Sequence, residues 1–369
     1  MSIYIISMYF EIFPKNFKKD LFNSDVNLNN LLNLINDTSV RLIVIKGLRR
    51  TGKTSLLNVA IKESDQIHIK IDVRNHPFFN YNDFLNVFMK LLKNTIFKKN
   101  VFKQLYIKLD SIDLSLSYGD IKLNSKFNLK NNKEISLFLE EVNNFLEKKK
   151  LMLVISIDEV QLLKKIKIDY LFASIYDNYK NIKFILTGSE IGLLDSFLGV
   201  NNYDAPLYGR HFEVIEIKKL REQDSFNFLK IGFNQVNKVI DNKEIVFVVE
   251  RLDGVIGWLT QYGYERIKGK SRDVALNNVI SNGVELCRRE FNNFLDSRKE
   301  KDNYITLMHF LNFGLNSWSD MKKEFIRKGK KISDTQLGLY LNNLKDYGFI
   351  AEKNKKYFIP DPLLEKIFS

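Results

Sequence analysis

RLIVIKGLRRTGKTS, residues 41–55, decides how the rest of the chain is read. Arg41 to Lys46 is an apolar, β-branched run of strand length. It empties into Gly47-Leu48-Arg49-Arg50-Thr51-Gly52-Lys53-Thr54, and a helix-compatible stretch from Ser55 to Ile61 follows at once. A strand, a G-x-x-x-x-G-K-T loop and a helix, in that order, are what a phosphate-binding loop requires. Its glycines let the backbone curl so that successive N–H groups turn inward around an anion. The helix adds its positive N-terminal end. Lys53 offers a point charge to the β and γ phosphates, and the Thr54 hydroxyl suits a magnesium ion. The expected nucleotide-binding set is Gly47, Arg50, Thr51, Gly52, Lys53, Thr54 and Ser55. Arg49 and Arg50 face either phosphate or solvent, with Arg50 assigned a structural or anion-facing role.

Downstream, apolar strands alternate with helical patterns, as in a parallel sheet covered on both faces. Gln66 to Asp72 reads as a second strand. Pro77 breaks the chain before a helix at about Tyr81 to Phe97. Residues 112–127 alternate apolar and polar around Tyr118-Gly119-Asp120, a hairpin signal outside the main sheet. Ile135 to Glu147 is helical, and Leu151 to Ile157 (LMLVISI) has the continuous apolar character of a central strand. Lys183 to Leu186 and His211 to Ile217 complete five strands. From Leu220 the pattern turns helical. The expected organisation is a nucleotide-binding core at 1–219, a helical lid at 220–300 and a third module at 301–369. In that last module three helices precede a two-stranded basic hairpin, the pattern of a winged helix-turn-helix.

The composition bounds the function without naming it. A chain of 369 residues, 45% hydrophobic, holds enough apolar mass for two or three domains. A single cysteine, Cys287, excludes an internal disulfide framework. The four histidines, His68, His76, His211 and His309, lack metal-ligand spacing. The N-terminal MSIYIISMYF is short and without a basic leader, so neither a signal peptide nor an anchor is expected. A cytoplasmic protein with no membrane contact is the expectation. The net charge of +13 permits nucleic acid as a partner, although the Lys/Asn/Ile-rich composition also has the look of low-GC coding bias.

Asp158 and Glu159 close the central strand, at the carboxyl end where ligands bind in open α/β sheets. Adjacent carboxylates after an apolar strand are costly without a cationic partner, so a metal is a natural occupant. Asp158 would hold magnesium with Thr54, and Glu159 would orient the water that attacks the γ-phosphate. Thr187 and Ser189 follow the next strand; they reach the γ-phosphate or its water, or merely close a turn around Gly188. Arg210 would stabilise the transferring phosphoryl group, in cis or across a subunit contact. The densest basic cluster, KKEFIRKGKK at 322–331, lies with Lys353, Lys355 and Lys356 in a region, 322–356, suited to duplex phosphates. Thr335, Gln336, Tyr340 and Asn343 are the groove-facing candidates.

Taken together, the chain resembles the archaeal ATPase family, P-loop NTPases allied to AAA+ and STAND ATPases and akin to archaeal replication initiators. The resemblance runs through DLF at 20–22, GLRRTGKTSLL at 47–57, IDVR at 71–74, IDEVQLL at 157–163, LTGSEIGLL at 186–194, PLYGR at 206–210 and YFIPDPLL at 357–364. It implies an α/β P-loop core with helices on both faces, an all-helical lid and a C-terminal winged helix. It also implies ATP and Mg2+ as cofactors, with Thr54 and Asp158 as metal ligands. Glu159, Lys53, Ser189 and Arg210 would then be the catalytic set, Ser189 as polar sensor and Arg210 as the γ-phosphate-sensing arginine. Two stretches depart from the family pattern. Ser24-Asp25 stands where an Arg-Glu pair is usual, and Asp253-Gly254-Val255-Ile256-Gly257-Trp258 lacks the proline of the usual lid motif. Both lie near the expected base pocket. The expected function is a magnesium-dependent ATPase acting as a conformational switch, with ATP/ADP, duplex DNA and a second copy or a protein as partners. The alternative is a STAND-like scaffold or DNA-binding regulator with slow or no turnover.

Overall fold

The computed structural model describes residues 9–76, 78–98, 132–200 and 202–369. Pro77 and the hairpin expected at 112–127 lie outside the described residues. Five strands form one wholly parallel sheet in the order β2-β3-β4-β1-β5: β1 Leu42–Lys46, β2 Ile67–Asp72, β3 Leu153–Asp158, β4 Ile182–Gly188 and β5 Glu213–Glu216. The order places the carboxyl ends of β1, β3 and β4 side by side. A site built on those three ends is therefore a consequence of topology.

Strand periodicity decides which helices cover which face. On β1, Leu42 and Val44 belong to one apolar cluster and Ile43 and Ile45 to another. The second cluster is covered by α1 (Asp25–Asn36) and α2 (Lys53–Glu63). The first is covered by α3 (Tyr81–Lys98), α4 (Asn132–Lys149), α5 (Asp169–Asn178) and α6 (Ile191–Leu198). β3 and β4 are buried along their whole length, as expected of central strands in a two-faced sheet. The one charge on β4, Lys183, is fully buried. Its Nζ donates to the carbonyls of Leu34, Ile35 and Asp37 at 2.6, 2.8 and 2.6 Å, so it caps the open end of α1. Burial pulls its pKa down to about 8.

Beyond β5 come α7 (Glu222–Asn234), α8 (Asn242–Leu252), α9 (Ile256–Ile267) and the 25-residue α10 (Arg272–Asp296). Then follow α11 (Lys301–Asn312), α12 (Trp318–Arg327), α13 (Asp334–Asp346), the antiparallel pair β6 (Ala351–Lys353) and β7 (Lys356–Phe358), and α14 (Pro362–Glu365). One apolar cluster runs through all of these helices and takes in Phe10 and the buried Cys287. Aromatic rings on α10 make the join. Phe291 lies edge-on to Phe349 and Phe368 at 5.1 and 5.2 Å, and Phe294 meets Tyr304 and Tyr347 at 5.1 and 4.8 Å. Each such pair adds about 1 kcal/mol beyond its buried area. The lid helices and the winged helix thus share a core. Among the described residues no helix is long and apolar enough to cross a membrane.

Candidate nucleotide site

The loop after β1 is shaped by two glycines. A Cβ on Gly47 would overlap the carbonyl of Ile217, whose own N–H bonds Lys46 O at 2.8 Å. Gly52, at φ +98°, takes the left-handed turn that starts α2. The Thr51 hydroxyl donates to Leu48 O at 2.8 Å and holds the curl. Ser55, in the first turn of α2, accepts the Lys15 N–H at 3.0 Å and fastens the N-terminal segment beside the loop.

The ends of α2 and β3 meet here. Thr54 Oγ1 donates to Asp158 Oδ2 at 2.8 Å, and the Thr187 hydroxyl of β4 donates to Asp158 Oδ1. Lys53 Nζ, on a residue only 5% exposed, donates to the carbonyls of Gly47 and Leu48 at 2.9 and 2.7 Å. Burial lowers its pKa to about 8 against the pull of Glu159 and Asp158. Glu159 sits in the left-handed region at φ +60°, a conformation that costs a non-glycine residue roughly 1–2 kcal/mol. Four bonds fix it there. Arg74 reaches Oε1 at 2.6 Å, while Gln161 Nε2, Ser189 Oγ and the Ser189 N–H reach Oε2 at 2.7, 2.9 and 3.3 Å. Burial alone would raise its pKa, but Arg74, Lys53 and these bonds outweigh burial and hold the carboxyl below its ordinary range. It is an ionised group facing the loop, as a residue that orients and activates water must be.

Beside this cluster opens a cavity of about 360 Å³, lined by Lys53 and Thr54 of the loop, Pro14 and Ser24 of the N-terminal segment, and Ile256 and Gln261 of α9. Its size is that of a small-molecule site. Ser24 and Ile256, the two departures from the family pattern, both face it.

Two expected residues have carboxylate partners. Arg50 lines this same cavity, with Arg49 and Glu290, but its guanidinium is already engaged. Its guanidinium bonds Glu290 at 2.8 Å, lies 3.8 Å from Asp361 and stacks 4.4 Å over Trp258. Those partners fit the structural role expected of it. Arg210 stands at the opposite edge of the sheet. Glu213, three residues on, is level with Ile43, so at about 3.3 Å per residue Arg210 lies roughly 20 Å below the phosphate loop. Its Nε bonds Asp177 at 3.0 Å, at the end of α5 that leads into β4. A role toward its own chain's γ-phosphate is therefore corrected; of the two routes expected, only the one across a subunit contact is left.

In the winged helix, the buried face of α13 consists of Leu337, Tyr340, Leu341 and Leu344 at helical spacing. Tyr340 is thus a core residue, its hydroxyl bonded to Glu300, and Asn343 donates to Tyr304 Oη at 2.8 Å. Gln336 closes a capping box with Ser333, and Thr335 is exposed. Tyr340 and Asn343 are corrected as groove contacts, because the helix turns them inward.

Sequence reading passed over Arg74, Gln161 and Glu190. Arg74 follows β2, and β2 pairs with β3 so that Asp72 is level with Asp158. Strand order, which periodicity does not give, is what brings Arg74 to Glu159.

A parallel sheet with this loop, a carboxylate pair at the end of the next strand but one and a C-terminal winged helix defines a P-loop ATPase. Comparison with known proteins places it further. A family model described as an ATPase domain predominantly from Archaea matches residues 21–261, and the chain belongs to that family. A second model, the C-terminal winged helix-turn-helix domain of MCM proteins, matches residues 297–360. A Walker-type ATPase of Pyrococcus abyssi superposes with a TM-score of 0.78 at 29% identity, over 98% of this chain and 99% of that one. The ORC2 protein of Aeropyrum pernix, solved in ADPNP-ADP complexes, shares the fold with a TM-score of 0.58 at 13% identity, over 98% and 96%. No curated protein matches. The chain is a nucleotide-binding ATPase of the archaeal type that shares its fold with the Aeropyrum pernix ORC2 protein.

Proposed function

We propose that the chain hydrolyses ATP in a magnesium-dependent reaction and uses the nucleotide to set the position of its lid and winged helix. The observation that carries this reading is the 2.8 Å pairing of Thr54 and Asp158, with Lys53 and Glu159 on either side. Two hard oxygen donors at that distance fit magnesium. Among the described residues no group of three or more His, Cys, Asp or Glu could hold a metal, so the protein offers a sparse set completed by phosphate and water. Magnesium favours that mode. When bound, the ion would neutralise charge on the β and γ phosphates.

In this reading the chain's own groups divide the work. The backbone N–H groups of the loop and the start of α2 bind phosphate oxygens, and Lys53 leaves the carbonyls of Gly47 and Leu48 to join them. Thr187 keeps Asp158 aimed at Thr54. Glu159 takes up a proton from the attacking water, with Ser189 and Gln161 holding one oxygen and Arg74 the other. Asp158→Asn tests the metal assignment. The magnesium concentration for half-maximal ATPase rate should rise at least about tenfold, the usual cost of disturbing a metal shell; an unchanged requirement would remove Asp158 from the site.

A second reading, association with duplex DNA, is favoured by one observation. Lys323, Lys328, Lys331, Lys353, Lys355 and Lys356 all stand exposed on the winged helix, while Lys322 and Arg327 are ion-paired to Asp334 and Glu324. Binding through them would fall steeply with salt. Replacing Lys323, Lys328 and Lys331 with glutamate should abolish it; salt-independent binding that survives the change contradicts this reading.

A further inference from the structure

The phosphate loop carries two consecutive arginines, and both line the cavity beside it with their guanidinia taken up by carboxylates. Arg49 bonds Glu190 at 2.6 Å and Glu290 at 3.2 Å; Arg50 bonds the same Glu290 at 2.8 Å and approaches Asp361 at 3.8 Å. One carboxylate on α10 therefore receives both guanidinia. The contact is also braced on every side. Trp258 Nε1 donates to Asp361 Oδ1 at 3.1 Å beneath the Arg50 stack, Asp361 caps α14 through the Leu363 N–H at 2.9 Å, and the Gly257 N–H donates to Arg50 O at 3.0 Å. Arg50 itself is held at φ +63°. On the other flank Glu190 directly follows Ser189, which donates to Glu159 at 2.9 Å. A path of direct bonds and adjacent residues thus runs from Glu290 through Arg49 and Glu190 to Ser189 and Glu159. Glu290, Trp258 and Asp361 all belong to the unit that holds the winged helix.

We propose that Glu290 is a positioning residue for the ATPase reaction: through Arg49 and Arg50 it ties the outer face of the phosphate loop to the lid and winged helix, so that the nucleotide state of the loop is read by residues 286–369. This rests on the nucleotide-driven switch proposed above and names the contact that transmits it. The side chain is 31% exposed and Glu290→Gln keeps its shape, so the fold has little to lose. Glu290 lies on the wall of the cavity, but Lys53 and Thr54 bond Gly47, Leu48 and Asp158 rather than Glu290.

The test is amide hydrogen exchange of the full chain over residues 286–369, with and without a non-hydrolysable ATP analogue and Mg2+, alongside the analogue's Kd. In the wild type the analogue should change exchange there by about fivefold or more, the low end of allosteric coupling. Glu290→Gln should remove that response while the Kd stays within about threefold. Arg50→Ala should remove it as well, and Glu290→Asp, which keeps the charge, should retain most of it. Three results overturn the inference: a wild type without the response, a Glu290→Gln protein whose response is intact, or one that loses response and binding together. A wild type that hydrolyses ATP without the response overturns it and leaves the hydrolysis reading standing. A wild type that responds but turns over no ATP does the reverse.

Discussion

The two faces of one loop make opposite use of positive charge. On the inner face Lys53 is buried, donates to the carbonyls of Gly47 and Leu48, and is pulled down to about 8 by burial against the pull of Glu159 and Asp158. On the outer face Arg49 and Arg50 are half-buried and matched against Glu190, Glu290 and Asp361. A cation bonded only to neutral carbonyls, with its carboxylate neighbours out of direct contact, is free to turn to an anionic ligand. One already neutralised by carboxylates is available to hold protein segments together. The same eight residues thus hold one cation bonded to neutral carbonyls and two paired with carboxylates, and in the reading proposed above the first binds phosphate and the others fasten the loop.

That contrast is open to direct attack. The largest effect belongs to the inner face. Lys53→Ala should weaken ATP binding about 100-fold or more, since it deletes charge-assisted bonds worth about 1.5–3 kcal/mol each. Titration with a fluorescent ATP analogue measures this, and a change under fivefold would mean that Lys53 does not bind phosphate. Arg50→Ala should leave a much smaller mark on affinity; a loss equal to that of Lys53→Ala would return Arg50 to the phosphate side.

pH sharpens the same difference. Lys53 has a folded pKa lowered from 10.5 to about 8, so the folded state holds fewer protons than the unfolded chain between those values. Its contribution to stability is unfavourable below pH 8 and is relieved as pH rises toward 10.5. Nucleotide affinity should move the other way, falling by up to about tenfold per pH unit above pH 8 as the ammonium is lost. Lys53→Met should flatten both trends, by denaturant titration and by binding. The smallest effect is expected at the far edge of the sheet. Arg210→Ala should leave the affinity of dilute protein for ATP within about twofold, because surface changes remote from a site are usually worth under 0.5 kcal/mol. A tenfold loss would contradict its placement beside Asp177.

The inner face was legible in the sequence because its determinants are local. Gly47, Gly52, Lys53 and Thr54 follow one strand, and Asp158 and Glu159 close another whose apolar run is unmistakable. The order of parallel sheet, helices and winged helix was legible for the same reason, from the period of the apolar residues. The outer face was not. Glu290 lies 240 positions from Arg50, and nothing in the spacing of either announces the other. Arg210 failed in a different way: its place before β5 was read correctly, but a parallel strand begins at the edge away from the loop, and only the register converts that into a distance. Tyr340 was misread as a groove contact because its polar tip hid its position on the apolar stripe of α13.

Single-turnover hydrolysis by Glu159→Gln is the most direct test of the site. The variant should bind ATP with a Kd close to that of the wild type, because the carboxylate is held by Arg74, Ser189 and Gln161 and not by the phosphate loop. Its hydrolysis rate should fall about 10²- to 10⁴-fold, the range expected for a general base. Hydrolysis at the wild-type rate would remove Glu159 from the chemistry and, with it, the assignment of the neighbouring carboxylates, lysine and threonine to a single reaction centre.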